Sequence, residues 1–219
     1  MNRLVVLISG RGSNMQAIIE ACNRSQINAS VVGVISNVPT APGLAFAQQQ
    51  DIPVTVVDHS TFPDRQAFDQ QLNVAIQSFN PDWVVLAGFM RILGPELVHA
   101  FEGQMINIHP SLLPKYTGLN THARVLAAGD EVHGASVHFV TAELDAGPVI
   151  AQAEVAVKDD DTEHALQQRV LRTEHKLYVD ALQLCVSGNA RLVNGECYRC
   201  NSKDVPDIVD TETNRRSHS

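Results

Sequence analysis

The chain has 219 residues, 44% of them hydrophobic and 18% charged, which is the composition of a folded globular protein and excludes a disordered one. Its net charge is −8 and it has no basic run, so neither nucleic acid nor an anionic membrane surface is an expected partner. No apolar stretch approaches the roughly 20 residues of a membrane span, and no signal-peptide pattern occurs, so a soluble, cytoplasmic protein is expected.

The N-terminal part of the sequence alternates between strand and helix patterns. The apolar run LVVLIS at 3–8 predicts a strand buried on both faces, and GRGSN leads from it into a helix. The predicted strands are 3–8, 31–35, 53–57, 82–88 and 105–109, and the predicted helices lie after Asn14, around 43–50, at 63–79 and at 94–101. This alternation predicts an α/β fold with a Rossmann-like, doubly wound and mainly parallel sheet.

The C-terminal part of the sequence predicts antiparallel strands and one long helix. Two strand patterns, 135–140 and 148–157, are joined by a loop, which favours an antiparallel pair. A helix is predicted at about 162–186, and the acidic run 159–161 before it is typical of a solvated helix start that complements the helix dipole.

One catalytic domain followed by a short extension is the predicted organisation. The predicted divisions are a single domain over 1–188, with a phosphate-binding half at about 1–100 and a catalytic half at about 101–188, and an extension over 189–219. The extension is polar, and we expect its last ~15 residues to be frayed. Cys197 and Cys200 form a single CxxC in it, whereas a structural zinc site usually needs two such pairs, so no metal is predicted.

The turn GRGSN at 10–14 lies between a predicted strand and a predicted helix, for which Ser13 or Asn14 is the predicted N-cap. In such a turn, backbone N–H groups and the positive helix end point at an anion, usually a phosphate. The dinucleotide fingerprint needs a third Gly where this chain has Met15, and no P-loop Gly-Lys-Ser/Thr occurs, so neither NAD nor ATP is predicted. A turn that serves only chain reversal is the structural alternative.

The stretch NIHPSLLP at 107–114 gives the strongest indication of chemistry. Strand alternation places Asn107 and His109 on one face, about 6.5 Å apart, near the carboxyl end of a strand, where α/β proteins bind ligands. An amide can donate to a developing oxyanion, and an imidazole can act as a general acid or as a second donor. Taken alone, both residues are also compatible with a structural role.

Asp145 lies in the predicted loop between two strands and, taken alone, is typical of a turn residue. It becomes functional if the fold brings it to His109, because a carboxylate there would favour the charged imidazole and hold its tautomer. Such a carboxylate could also take a proton from an attacking amine.

Other residues give weaker indications. The segment 89–93 follows the fourth predicted strand and could line the pocket of a flat aromatic ligand, although a packed loop fits it equally well. His133 and His138 are five apart on a predicted strand and so face opposite ways, and no HExxH occurs. Cys22 continues a helical apolar pattern and is expected in the core, and the absence of Gly-x-Ser-x-Gly argues against a serine hydrolase.

Several stretches together resemble the folate-dependent formyltransferases. They are VVLISGRGSNMQAII, VVLAGFMRILGPELV, the stretch from Ile106 to Lys115, GDEVHGASVHFVTAELDAGPVI and RTEHKLY, spread over residues 3–188. NIHPSLLP with a later Asp resembles this family generally, whereas GRGSN resembles its glycinamide ribonucleotide branch. The resemblance implies the formyltransferase fold, 10-formyltetrahydrofolate as the formyl donor, a small-molecule acceptor in purine biosynthesis, and no metal.

The resemblance also implies roles for individual residues. The catalytic residues that it implies are Asn107, His109 and Asp145. The implied phosphate and ribose contacts are Gly12, Ser13, Asn14, Arg65 and Glu174, and the implied folate contacts are Met90, Arg91, Ile92, Leu93 and Val140. A homodimer is left open.

The chain departs from the usual family pattern at three positions. Asn120 stands where a His is familiar, which argues against a proton relay there but leaves the catalytic residues unaffected. Leu171 stands where Lys or Gln is common, so phosphate binding would rely more on the turn or on Arg172. Ala146 replaces a Gly, which predicts a stiffer loop beside Asp145.

Formyl transfer to an amine is the predicted reaction. Asn107 and protonated His109 would stabilise the oxyanion, and Asp145 would keep His109 charged and assist proton transfer. The nearest alternatives are a formyltetrahydrofolate hydrolase and a methionyl-tRNA formyltransferase, whose extra domains would not be expected to fit in 219 residues. A nucleotide-binding module without catalysis is an alternative from another class.

Overall fold

The computed structural model describes residues 1–200, which form a seven-stranded sheet, the helices packed on it, and a separate two-stranded sheet. The elements are β1 (Asn2–Ile8), α1 (Ser13–Asn23), β2 (Ala29–Ser36), α2 (Pro42–Gln49), β3 (Val54–Val56), a 3-10 turn (His59–Thr61), α3 (Arg65–Gln77), β4 (Trp83–Leu86), α4 (Pro95–Ala100), β5 (Met105–His109), α5 (Thr121–Ala128), β6 (Val132–Phe139), β7 (Val149–Ala156), α6 (Glu163–Val186), β8 (Ala190–Val193) and β9 (Glu196–Arg199). The residues that we expect to be frayed lie outside the described ones.

The strand order of the large sheet is β3-β2-β1-β4-β5-β6-β7. Strands β1 to β5 pair in parallel, whereas β6 and β7 run antiparallel to their neighbours. The predicted α/β class, the mainly parallel sheet and its antiparallel C-terminal portion are confirmed. Because the order reverses between β1 and β4, a crevice is expected at the carboxyl ends of these strands, where doubly wound proteins bind ligands.

Apolar side chains cover both faces of this sheet. Alternate residues of β1 enter opposite clusters: Leu4 and Val6 pack with residues of α1 and α6, whereas Val5 and Leu7 pack with residues of α3 and α4. The continuous apolar run of β1 follows from this two-sided burial. Cys22 is buried in the first cluster, as predicted.

The prediction that Ser13 or Asn14 caps α1 is wrong. Gly12 is the N-cap residue, with φ 69°, and no side chain caps the helix. The Asn14 side chain instead donates to Glu174 at 2.8 Å. The prediction of a solvated acidic run before α6 is wrong for Asp161, whose carboxylate binds Arg169 at 2.7 Å.

The sequence interpretation missed α5 and the β8–β9 hairpin. The hairpin turns at Asn194 and Gly195, whose φ angles are 51° and 80°. Two successive left-handed residues are typical of a type I′ turn, and Asn-Gly is its usual sequence. The sequence therefore contained a signal that predicts this hairpin. Helix α5 ends at Gly129 with φ 71°, which is a C-terminal signal of the same kind.

Candidate active site

Strand β5 holds Asn107 and His109 in a shielded part of the sheet. In the antiparallel pairing with β6, Asn107 lies opposite His138 and His109 lies opposite Ser136. His109 is only 6% exposed, and Asn107 is half-buried. Hydrogen bonds from these two side chains are electrostatically stronger here than in water, because little solvent competes.

The loop between β6 and β7 carries Asp145 to His109. Asp145 Oδ2 lies 3.4 Å from His109 Nδ1, and Asp145 Oδ1 lies 3.9 Å from His138 Nε2. The backbone N–H of Gly118 donates to the same Oδ2 at 2.8 Å. Asp145 has φ 53°, a left-handed conformation that Asp tolerates better than most residues. The structure therefore brings a carboxylate to the imidazole across 36 residues of sequence.

The second nitrogen of His109 is also engaged. Its Nε2 lies 2.9 Å from the carbonyl oxygen of Tyr116, so this nitrogen carries a hydrogen and donates it. Tyr116 belongs to the loop between β5 and α5, which covers the imidazole. A substrate oxygen that took the place of the Tyr116 carbonyl would accept the same N–H.

His138 orients the amide of Asn107. His138 Nδ1 donates to the Phe139 carbonyl at 2.8 Å, which leaves His138 Nε2 to accept from Asn107 Nδ2 at 3.2 Å. Burial lowers the pKa of His138, in agreement with a neutral ring. Asn107 Nδ2 keeps a second N–H for a ligand. Sequence reasoning missed His138, because the strand pattern does not reveal the register between β5 and β6.

The GRGSN turn presents the start of α1. The helical hydrogen bonds begin with Gln16 N–H donating to Gly12 O at 2.9 Å. The N–H groups of residues 13–15 therefore lie at the helix start, at the positive end of the helix dipole. Gly12 permits the left-handed entry to the helix, and the arrangement suits a phosphate.

Glu174 of α6 lies beside this turn. Asn14 Nδ2 donates to Glu174 Oε2 at 2.8 Å, and both residues are 7% exposed. Burial raises the pKa of Glu174 to about 7, and the bond from Asn14 acts against this shift. Asn14 Oδ1 is buried without a partner among the described residues. A polar ligand at the turn would find this acceptor and the Glu174 carboxyl together.

The segment Met90–Leu93 occupies the loop between β4 and α4. Met90, Arg91 and Ile92 are exposed, whereas Leu93 is buried in the apolar cluster that contains Val5, Leu7 and residues of α3 and α4. Val140 follows β6, is half-buried, and packs against that same cluster. Three exposed side chains held above a buried one can form one wall of a ligand pocket.

Arg65 lies near this segment. It begins α3 and lines a cavity of about 310 Å³ together with Asp69 and Gly94. Within residues 1–200, no hydrogen bond or ion pair joins Arg65 to the GRGSN turn, so its assignment to the phosphate stays a prediction.

The departures from the family pattern are accommodated locally. Asn120 has φ 57° directly before α5, in the left-handed region that Asn enters more readily than other side chains. Ala146 is exposed and is absent from the left-handed region, so its Cβ adds no backbone strain. Leu171 is half-buried and Arg172 is exposed on α6.

Residues 1–200 contain no cluster of three or more His, Cys, Asp or Glu side chains that could hold a metal ion. Their helices also include none with both the length and the apolar character to cross a membrane. All four cysteines are free thiols, of which Cys22 and Cys185 are buried.

Comparison with known proteins identifies the family. Residues 2–182 match the family model described as formyl transferase. The chain belongs to the formyl transferase family. The predicted family is thereby confirmed, and the match extends from β1 into α6, so that it includes every predicted site residue of this formyl transferase.

Relatives resemble this formyl transferase over nearly its whole length. The phosphoribosylglycinamide formyltransferase of Escherichia coli (strain K12) is 49% identical over 86% of this chain and 89% of that protein. The crystal structure of glycinamide ribonucleotide transformylase 1 from Symbiobacterium toebii is 39% identical, with a TM-score of 0.89 over 92% of this chain and 95% of that chain. The phosphoribosylglycinamide formyltransferase of Coxiella burnetii is 47% identical, with a TM-score of 0.86 over 90% and 93%.

Proposed function

We propose that this formyl transferase moves the formyl group of 10-formyltetrahydrofolate to the amine of glycinamide ribonucleotide. The products are formylglycinamide ribonucleotide and tetrahydrofolate. One observation carries the proposal: Asn107, His109 and Asp145 converge at the carboxyl ends of the parallel strands, where the GRGSN turn also lies. The names of the relatives support the choice of acceptor.

The acceptor is anchored away from the reacting atoms. Its phosphate binds the N–H groups of the turn at Gly12, Ser13 and Asn14, at the positive end of α1. Its ribose hydroxyls donate to the Glu174 carboxylate, which lies beside Asn14. The folate lies against the Met90–Leu93 segment, which places its formyl carbon beside the acceptor amine. Holding both reactants in this way converts a bimolecular step into an effectively unimolecular one.

The neutral amine attacks the formyl carbon, which forms a new C–N bond and places negative charge on the formyl oxygen. The free N–H of Asn107 and the Nε2–H of His109 donate to this oxyanion, and Asp145 stabilises the imidazolium from the Nδ1 side. A proton from the amine then passes through water to the folate nitrogen as the old C–N bond breaks. Removing one oxyanion donor typically lowers the rate by ~10²–10³.

Replacing Asp145 with Asn tests the catalytic assignment. The substitution removes the charge beside His109 but keeps an oxygen that accepts from Gly118, so we expect turnover to be abolished with the fold retained. Formyl transfer and the far-ultraviolet circular dichroism of the variant are the measurements. Asp64→Asn is the matched control, because Asn caps α3 as well as Asp does. Near-normal turnover of D145N would contradict the assignment.

Calorimetry separates the proposed function from the alternatives. We expect glycinamide ribonucleotide and a folate analogue each to bind the wild-type chain. Binding of neither would contradict the proposal, and formate release without an acceptor would favour a hydrolase. We also propose a cytoplasmic location for this protein. Gel filtration tests whether it forms a homodimer.

A further inference from the structure

The Met90–Leu93 segment has a fixed shape although it belongs to neither a helix nor a strand. Buried Phe89 and Leu93 anchor it in the core, while the three side chains between them are exposed. Apolar anchors alone fix position but not backbone orientation, because burial is non-directional. The hydrogen bonds at the two ends of the segment supply that orientation.

Ser9 holds the first end. The backbone N–H of Met90 donates to Ser9 Oγ at 2.7 Å, and the Ser9 N–H donates to the Gly88 carbonyl at 3.1 Å. The Ser9 hydroxyl in turn donates to the side-chain oxygen of Asn37, which is 2% exposed. Ser9 directly precedes the GRGSN turn, so one residue joins the start of the turn to the start of the segment.

Asp69 holds the second end. The backbone N–H of Gly94 donates to Asp69 Oδ2 at 2.7 Å, and Asp69 is 7% exposed on α3. A Cβ on Gly94 would lie 2.7 Å from the same oxygen, so a larger residue there would force the Asp69 carboxylate to shift. Asp69 Oδ1 is buried without a hydrogen-bond partner among the described residues. A buried carboxyl with only part of its hydrogen bonds made lowers the stability of the fold. Packing alone therefore does not explain the presence of Asp69 at this position, whereas a role in holding the segment does.

We propose that Ser9 and Asp69 are positioning residues that fix the folate-binding segment from its two ends. The inference rests on the proposed function, because the folate role of Met90–Leu93 comes from it. Neither side chain contacts the reacting atoms. Each acts through the backbone of the segment, so their loss should weaken folate binding more than acceptor binding.

Asp69→Ala and Ser9→Ala test the inference through two measurements. Hydrogen exchange at the amides of Gly94 and Met90 reports the two contacts, and calorimetry reports the affinity for a folate analogue. We expect faster exchange at the amide that loses its partner, and analogue binding weakened about tenfold, the effect of losing one charged or well-ordered hydrogen bond. Asp69→Asn keeps an acceptor for Gly94 and should recover most of the affinity. If Asp69→Ala does not fold, Asp69→Asn and Ser9→Ala still test the proposal.

Ser78→Ala is the matched control, because that hydroxyl donates to a carbonyl at the end of α3, away from the segment. For Asp69→Ala, binding of glycinamide ribonucleotide should weaken less than binding of the folate analogue, because Asp69 bonds to the Gly94 backbone and no hydrogen bond among the described residues joins it to the GRGSN turn. Unchanged analogue affinity and unchanged exchange in both variants would overturn the inference. A wild-type chain that binds no folate analogue would instead overturn the proposed function, so the two failures are distinguishable.

Discussion

At the scale of single residues, Glu174 is a carboxyl group whose charge depends on pH near neutrality. Its pKa is raised to about 7 by burial, from an ordinary value of 4.5. The folded state therefore binds more protons than the unfolded state between these values, and stability falls as pH rises through them. The hydrogen bond from Asn14 favours the charged carboxylate of Glu174 and so offsets only part of this loss of stability.

Glu174→Gln should raise the free energy of unfolding above pH 7 by up to about 3 kcal/mol, because the neutral amide avoids the buried charge. Below pH 4.5 the difference should vanish, since the carboxyl is then protonated in both states. Urea unfolding from about pH 3.5 to pH 8 measures this, with exposed Glu154→Gln as the control. A difference that is independent of pH would show that Glu174 does not titrate in this range.

Strand alternation was enough to predict that Asn107 and His109 share a face. It could not reveal His138, because the partner of Asn107 depends on the pairing of β5 with β6, and a shift of one residue would place the other face of β6 there. The carboxylate that reaches His109 was predicted only through the family resemblance, since the loop before β7 has no pattern that sets its direction.

At the scale of elements, α5 and β6 meet through two buried imidazoles. His133 Nε2 lies 3.0 Å from His122 Nδ1, and the Tyr116 ring packs edge-on against His133. Burial lowers the pKa of both imidazoles, and it lowers that of His133 to about 4, with the charge of His122 acting in the same direction. Both side chains are therefore neutral in the folded protein near neutrality.

Because the folded pKa of His133 lies below the unfolded value of 6.5, its contribution to stability is complete above about pH 6.5 and is lost as pH falls toward 4. His133→Gln should therefore flatten the decline of the free energy of unfolding in that range. Urea unfolding at several pH values measures the slope, and exposed His164→Gln is the control. An unchanged slope in H133Q would mean that the pair is not responsible for acid sensitivity.

All the strands of the large sheet and all the helices except α5 were predicted, whereas α5 and the β8–β9 hairpin were missed. Strand β5 matches its prediction at both ends, and α3 buries the stripe that contains Phe68, Leu72 and Ile76. The two-sided burial of the parallel strands makes their apolar runs continuous and easy to recognise. Helix α5 has eight residues and the β8–β9 strands have four each, so side-chain periodicity alone is too brief to identify them. The equally short α2 and α4 begin with Pro, a helix start signal that α5 lacks.

At the scale of the whole molecule, the site is built from stretches that lie far apart in sequence. The turn after β1, the loop after β4, the end of β5, the loop before β7 and the middle of α6 all contribute. The GRGSN turn and the end of β5 gave signals of their own, whereas Asp145 and Glu174 were assigned through the family resemblance. Only the strand order places the ends of β1, β4 and β5 side by side. The sequence supports the sheet class, whereas the order of strands is set by long-range packing that no local pattern encodes.

Removing the β8–β9 hairpin tests where the predicted catalytic domain ends. Ala190 is fully buried in the core cluster that contains α6, Leu192 and Cys197 pack partly against it, and Cys200 N–H donates to Asn189 O at 2.9 Å. A chain ending at residue 189 should lose about 1–3 kcal/mol of unfolding free energy, because apolar surface of the core becomes exposed. Its turnover should stay within about twofold of wild type, since no hydrogen bond or ion pair among the described residues joins the hairpin to Asn107, His109 or Asp145.

A chain ending at residue 200 is the matched control for this truncation, because it keeps the hairpin and removes only residues 201–219. Urea unfolding and formyl transfer are measured for both chains under the same conditions. Equal stability of the two would mean that the buried contacts of Ala190 contribute little. An inactive or unfolded 1–189 chain beside an active 1–200 chain would instead place the hairpin inside the catalytic domain, and the predicted boundary at 188 would be wrong.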